Sequence, residues 1–228
     1  MDFLITLFLI CMTIAIYIIC RHLAFKYKHP FMNIVFLGTA AVIIVLTLSG
    51  ISYEQYTPAK DIMIFLLGPA TIAFALPLYY KRDIVKTYLF PIFIGIMLGV
   101  LSTASSIVLI GKFGGLPKEL LVAMSTKSVT VPIAIEVAKI MGGDSGLAVA
   151  FCALTGTFGS MMAFPVYKYL RIEDPVAQGL AIGTLAHGQG AALSLQEGQT
   201  QGAMGGIAMA LAAIFSAFVL PFLLPMLL

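Results

Sequence analysis

The segment KSVTVPIAIEVAK, residues 127–139, concentrates the chemistry of an otherwise apolar chain. Pro132 lacks an N–H, and its ring clashes with the carbonyl four residues earlier, so a helix cannot pass it undisturbed. It also biases Val131 away from the α region. Ser128 and Thr130 are natural N-caps for a helix that restarts near Pro132. A restarted helix presents free N–H groups at the positive end of its dipole, which suits an anion. Lys127, just before the break, adds a full positive charge. The chemistry this pattern points to is capture of a small anion without bond breaking. Glu136 and Lys139 are spaced to pair across one turn. Glu136 reads equally as counter-ion, proton carrier or structural partner, whereas Lys139, close to Gly142, Gly143 and Asp144, reads as a snorkelling charge.

Two other stretches carry similar interruptions. LLGPATIAFALP (66–77) has two prolines and Gly68, with Thr71 between the prolines. GTLAHGQGAALSLQEG (183–198) sets Gly183, Gly188 and Gly190 around His187 and Gln189. Glycine permits close backbone approach and irregular dihedrals. His187 either takes up a proton near neutral pH or hydrogen-bonds across helices. Its company with Thr184, Gln189 and Gln196 fits a pathway, since polar groups inside membranes commonly mark one. Thr71, Ser128, Thr130 and Gln189 are therefore the expected hydrogen-bond partners of the anion, with Lys127 and the helix end at Pro132. His187 or Glu136 is the expected proton carrier. No G-x-S-x-G, H-E-x-x-H or paired-aspartate motif occurs, so an intramembrane enzyme is not expected. Cys11, Cys20 and Cys152 lie in apolar segments without metal-ligand spacing and read as lipid-facing or packing residues. No cofactor or metal is expected beyond H⁺ or Na⁺ as a coupling ion.

These residues must be positioned by membrane helices. The chain is 61% hydrophobic and 10% charged, with a mean hydropathy of +1.05, where soluble domains carry about 25% charged residues. It could not cover a water-facing surface, and a net charge of +3 is too small and dispersed for nucleic acid. Charge-free runs cover 3–20, 29–53, 62–80, 87–111, 145–167, 175–196 and 198–228. Most hold about the ~20 residues that cross a bilayer as a helix. With the charge-bearing stretch 120–141 they predict an all-α polytopic membrane protein of roughly seven to eight spans. The chain is read as one integral membrane domain over 1–228, with discontinuous helices. Its nine Tyr lie at or near the ends of the proposed spans, and Trp is absent. Asp2 replaces a basic n-region and no small-x-small site follows the first run, so 3–20 reads as a span and not a cleaved signal.

Arg21, Lys26 and Lys28 form one basic loop, and Lys81, Arg82 and Lys86 another. The positive-inside rule puts both in the cytoplasm and the N-terminus outside. Lys168 and Arg171 should also be inside, which fails if 120–141 and 145–167 each cross once. One segment after residue 112 is therefore expected to be broken or re-entrant, and 120–141 is the candidate. Residues 1–111 and 112–228 are nearly equal halves, and an offset of 117 lays 66–78 on 183–195 with few matches. Discontinuous helices at matching places in two halves are a pattern of secondary transporters, and the charge pattern favours inverted repeats.

KSVTVPIAIEVAK, LLGPATIAFALPLY (66–79) and the stretch from RIEDPVAQGLAIGT (171–184) through His187 resemble the LrgB/CidB family, which includes the plastid glycolate/glycerate translocators. The resemblance implies a multi-pass protein of the cell membrane, described in bacteria as antiholin-like or as a regulator of murein hydrolases and cell lysis. It implies a small LrgA/CidA-type membrane partner, and transport of small monocarboxylates such as glycolate, glycerate or pyruvate. A homo-oligomer in the lipid bilayer is expected. The chain departs from the family pattern at Ala186, where Ser is usual before the histidine, at Ala191 for Thr, and at Leu193 for Arg. The missing arginine removes a bidentate carboxylate clamp and leaves Lys127 and helix N-termini as the anion-binding elements.

Overall fold

The computed structural model describes residues 3–27, 33–66, 69, 72 and 75–228. Thr71 and half of the interrupted stretch 66–77 lie outside the described residues. The chain divides into two compact units, Met1–Ala73 and Phe74–Leu228. Among the described residues every regular element is helical, and four helices are long and apolar enough to cross a membrane.

The first unit holds α1 (Phe3–Tyr27), α2 (Ile34–Leu48) and α3 (Tyr53–Phe65). Asn33 caps α2 by accepting from the Val35 and Phe36 amides, and Ser52 with Gln55 closes a capping box at α3. Both devices satisfy donors that a helix start would leave unpaired. The Thr13 and Tyr56 hydroxyls, 3.0 Å apart, tie α1 to α3. Because α1 runs on to Tyr27, Tyr17 sits within the span instead of near its end. α2 is apolar, but its 15 residues reach only about 22 Å at 1.5 Å each.

The second unit contains α4 (Ala75–Tyr80), α5 (Arg82–Thr87), α6 (Leu89–Phe113), α7 (Lys118–Ser125), α8 (Val131–Ile140), α9 (Ser145–Leu170), α10 (Pro175–Glu197) and α11 (Gln199–Leu227). α6 and α11 lie side by side and parallel. Ile92 and Ile96 pack with Met204 and Ile207, and further along Ala104 and Val108 pack with Leu220 and Leu224. At the far end the Lys112 ammonium donates to the carbonyls of Leu227 (2.8 Å) and Leu228 (3.2 Å), satisfying acceptors that a helix C-terminus leaves open.

α10 is not a span, although residues 175–196 have the length and apolarity of one. His187 has φ 43° and ψ −127° inside it, and the packing shows that the chain reverses there. Before His187, Gly179 sits against Gln201 and Met204, and Gly183 against Gly205 and Ala208, so 175–186 runs parallel to α11. After it, Gly205 sits against Ala191 and Ser194, and Gly202 against Leu195, so 188–197 runs antiparallel to α11. Gly190 accordingly lies on the carbonyl of Ile182, which a continuous helix would hold ~12 Å away. α10 is a helical hairpin with its tip at His187. Glycine and alanine line this packing because any larger residue would meet backbone, the small-residue logic of helix association in membranes.

The stretch 118–140 also turns back on itself. α7 stops at Ser125 and α8 starts at Val131, with the irregular segment 126–130 between them. Gly143, just past α8, packs on Val122 and Ala123, so the chain comes back alongside α7. The stretch 120–141, expected to be broken or re-entrant, is thus broken, at 126–130. With 118–140 folded back, α9 alone crosses to bring Lys168 and Arg171 to the end that holds Lys81, Arg82 and Lys86. Ile84, Val85 and Val176 accordingly meet in one apolar cluster.

A candidate site where two helix breaks meet

Thr71 lies outside the described residues, and the other predicted site residues find their places from the local fold. Pro132 lies in the first turn of α8, where the N–H it lacks would have had no intrahelical partner. The residue four positions earlier, Ser128, is outside the helix, so the expected clash does not arise. Thr130 occupies the N-cap with extended dihedrals (φ −66°, ψ 145°), yet its hydroxyl makes no capping bond. Ser128 is not a cap: it is buried in the turn and accepts a hydrogen bond from the Lys127 ammonium at 3.2 Å. Lys127 is half-buried and has no ion-pair partner among the described residues. An unpaired ammonium at membrane depth costs about 2.5–3.5 kcal/mol even on the most lenient insertion scale. It stands beside a helix start whose first-turn amides lack a side-chain cap, so positive potential converges on this turn with no carboxylate paired to it among the described residues.

The second break joins the first through one residue on α9. Cys152, fully buried, directs its thiol at two carbonyls of the break, that of Thr126 (3.3 Å), which also accepts from the Val129 amide, and that of Val129 (3.4 Å). The Cys152 carbonyl lies 3.0 Å from His187 Nε2. A carbonyl can only accept, so Nε2 carries a proton and donates. The tips at 126–130 and at His187 therefore meet across Cys152. That residue lies seven positions beyond Ser145 in a helix of 26 residues, within the span and away from its ends. The hairpins approach it from opposite ends of α9, the first from beside Asp144 and the second from beside Arg171.

Gln189 completes the second tip. Its Oε1 lies 3.3 Å from the Thr157 hydroxyl, and Gly156 leaves the space that both Gln189 and His187 fill. A Cβ on Gly156 would lie 2.8 Å from Gln189 Cδ and 2.9 Å from His187 Cε1. Glu136 does not join this group. It pairs with Lys139 at 3.1 Å on an exposed face of α8, the pairing expected from their spacing.

Cys152, Gly156, Thr157 and Thr126 are the members that residue types do not reveal. A cysteine and a glycine in a continuous apolar run carry no mark of being the junction, and only the packing of α9 against both tips identifies them. Cys11 is exposed on α1, as a lipid-facing residue would be. Among the described residues no group of His, Cys, Asp or Glu could hold a metal ion.

Two helical hairpins whose broken tips meet inside a bundle define a class: a polytopic α-helical membrane protein with a polar, discontinuous centre. The particular family follows from the whole sequence. The LrgB-like family pattern matches residues 13–226, and the chain belongs to that family. It is 30% identical over 223 residues to the holin-like protein CidB of Staphylococcus aureus (strain N315), covering 98% of this chain and 97% of the relative. It is 29% identical over 223 residues to the holin-like protein CidB of Staphylococcus epidermidis (strain ATCC 12228), with the same coverage. The uncharacterized protein YwbG of Bacillus subtilis (strain 168) is 30% identical over 213 residues, 93% of this chain and 95% of its own length. No solved structure matches the chain.

Proposed function

We propose that the protein is a secondary transporter of small monocarboxylates of the glycolate, glycerate or pyruvate type. The observation that supports this reading is the unpaired Lys127 ammonium beside the uncapped start of α8, held against a second helix break. Half-helix ends meeting near the bilayer midplane are how transporters present dipoles to anionic substrates. Lys127 supplies the charge, the first-turn amides of α8 and the Thr130 hydroxyl supply donors, and Gln189 lines the opposite tip. His187 is the candidate proton carrier, with H⁺ or Na⁺ as coupling ion and no enzymatic step. In this reading the protein resides in the cell membrane with its N-terminus outside.

The test is uptake of radiolabelled glycolate, glycerate and pyruvate into proteoliposomes that contain only this protein, with and without a pH gradient. Saturable uptake is expected. Lys127→Ala should lower it by roughly 10–100-fold, the worth of a hydrogen bond to a charged group. Equal uptake by a folded Lys127→Ala protein would sink the site.

A second reading draws on the relatives' holin-like naming: an antiholin-like component that modulates a pore and murein hydrolase activity with a small membrane partner. It predicts no uptake by the purified chain alone and a response only when the partner is added.

A further inference from the structure

The turn that joins α9 to the α10 hairpin forms a concave site, away from the meeting point of the tips. A pocket of about 360 Å³ opens there, lined among others by Lys168, Arg171, Glu173, Gln178 and Phe164. Neither cation has an ion-pair partner among the described residues, and both residues are exposed. Arg171 is held in the left-handed conformation (φ 55°, ψ 39°) at the end of α9, where the chain turns into the pocket's rim. The floor of the pocket is fixed by hydrogen bonds. Tyr167 Oη donates to the Gln178 carbonyl at 2.9 Å, and Gln178 Nε2 donates to the Ile172 carbonyl at 2.8 Å. Phe164 packs edge-on against Tyr167, with ring centroids 5.5 Å apart, and forms an apolar wall. Back from Lys168 towards the middle of α9, in steps of three and four residues, the exposed Phe158 and Leu154 lie on its membrane-spanning face.

We propose that this pocket binds the phosphate-bearing headgroup of an anionic membrane lipid, with Lys168 and Arg171 on the phosphate and the acyl chain along Phe164 and the outer face of α9. Basic residues near a helix C-terminus are favourable in themselves, and they orient a protein in the membrane. Neither effect needs a rigid concavity between them. Free phosphate would satisfy the cations but leave the apolar wall uncovered, which is why a lipid is the occupant. The Gln178 carbonyl and side chain that form the floor also hold the start of the α10 hairpin, so an occupied pocket braces the base of the element whose tip carries His187.

The experiment is a titration of delipidated protein in detergent with dioleoylphosphatidylglycerol and dioleoylphosphatidylcholine, with the first bound lipid read by native mass spectrometry. Phosphatidylglycerol should bind more tightly. The double variant Lys168→Gln/Arg171→Gln should lose roughly fivefold of that preference per charge removed. Glu173→Gln, which removes the one carboxylate in the pocket and should leave the fold intact, should raise it. sn-Glycerol 3-phosphate at the same concentrations should not bind. Equal affinity for the two lipids, or a preference unchanged in both the double variant and Glu173→Gln, would overturn the proposal. Glycerol phosphate bound as tightly as phosphatidylglycerol would overturn the lipid as occupant.

Discussion

His187 combines an unusual backbone conformation with a buried hydrogen bond. Its dihedrals (φ 43°, ψ −127°) lie outside the left-handed helical well and belong to glycine's part of the map. A non-glycine residue there stores about 1–3 kcal/mol, offset in part by the bond from Nε2 to the Cys152 carbonyl, worth about 1 kcal/mol. His187→Gly and His187→Ala both delete the ring, but only glycine releases the strain. His187→Gly is therefore expected to be more stable than His187→Ala by about 1–3 kcal/mol in thermal unfolding; equal stability would show that the backbone is relaxed. In transport the two should behave alike. Each should flatten the pH dependence of uptake more than it weakens substrate affinity, and a pH profile identical to that of the unmodified protein would remove the proton role. That His187 is out of keeping with its surroundings is legible in the sequence, from a histidine among glycines in an apolar run. That the chain reverses at it is not, because the reversal depends on contacts with α11 more than ten residues away.

At the scale of elements, the two hairpins differ in how far local chemistry announces them. Pro132, with Ser128 and Thr130 before it, marks the first break by rules that act within four residues. The turn duly falls at 126–130, with Thr130 at the N-cap. The α10 hairpin is specified instead by what is missing from Gly179, Gly183 and Gly190, namely the Cβ atoms that would prevent its two arms and α11 from closing. A Cβ on Gly183 would strike the Gly205 carbonyl and lie 2.9 Å from Ala208 Cβ. Backbone cannot yield as a side-chain tip can, so Gly183→Ala should destabilise the protein by about 1–3 kcal/mol. Gly95, on α6, has nothing within 4 Å of its would-be Cβ. Gly95→Ala should be neutral or stabilising by up to about 1 kcal/mol, the difference in helix propensity. Thermal unfolding of both variants in one detergent is the check, and a Gly183→Ala protein as stable as Gly95→Ala would contradict the hairpin packing.

For the whole molecule, the hairpins settle which ends of the second unit share a side of the membrane, and this can be tested without any assumption about substrate. α9 crosses once. The 118–140 hairpin opens at the same end as Asp144, and the α10 hairpin opens at the same end as Arg171. Lys118 and Asp144 must then share one side, and Glu173 and Gly198 the other. Two simple crossings over 118–170 would instead put Lys118 and Glu173 together. The basic loops distinguish inside from outside: Lys81, Arg82, Lys86, Lys168 and Arg171 all gather at the Glu173 end, which is therefore expected to be cytoplasmic. Lys118→Cys and Glu173→Cys, each in a background with Cys11, Cys20 and Cys152 replaced by alanine, would be exposed to a membrane-impermeant maleimide on intact cells and then on permeabilised ones. Lys118→Cys should label in intact cells and Glu173→Cys only after permeabilisation. The reverse pattern would keep the hairpins and invert the orientation. Both positions labelling from one side would mean that 118–140 crosses the membrane after all. The tips at 126–130 and His187 would then no longer approach Cys152 from opposite faces, and the geometry on which an alternating pathway depends would be lost.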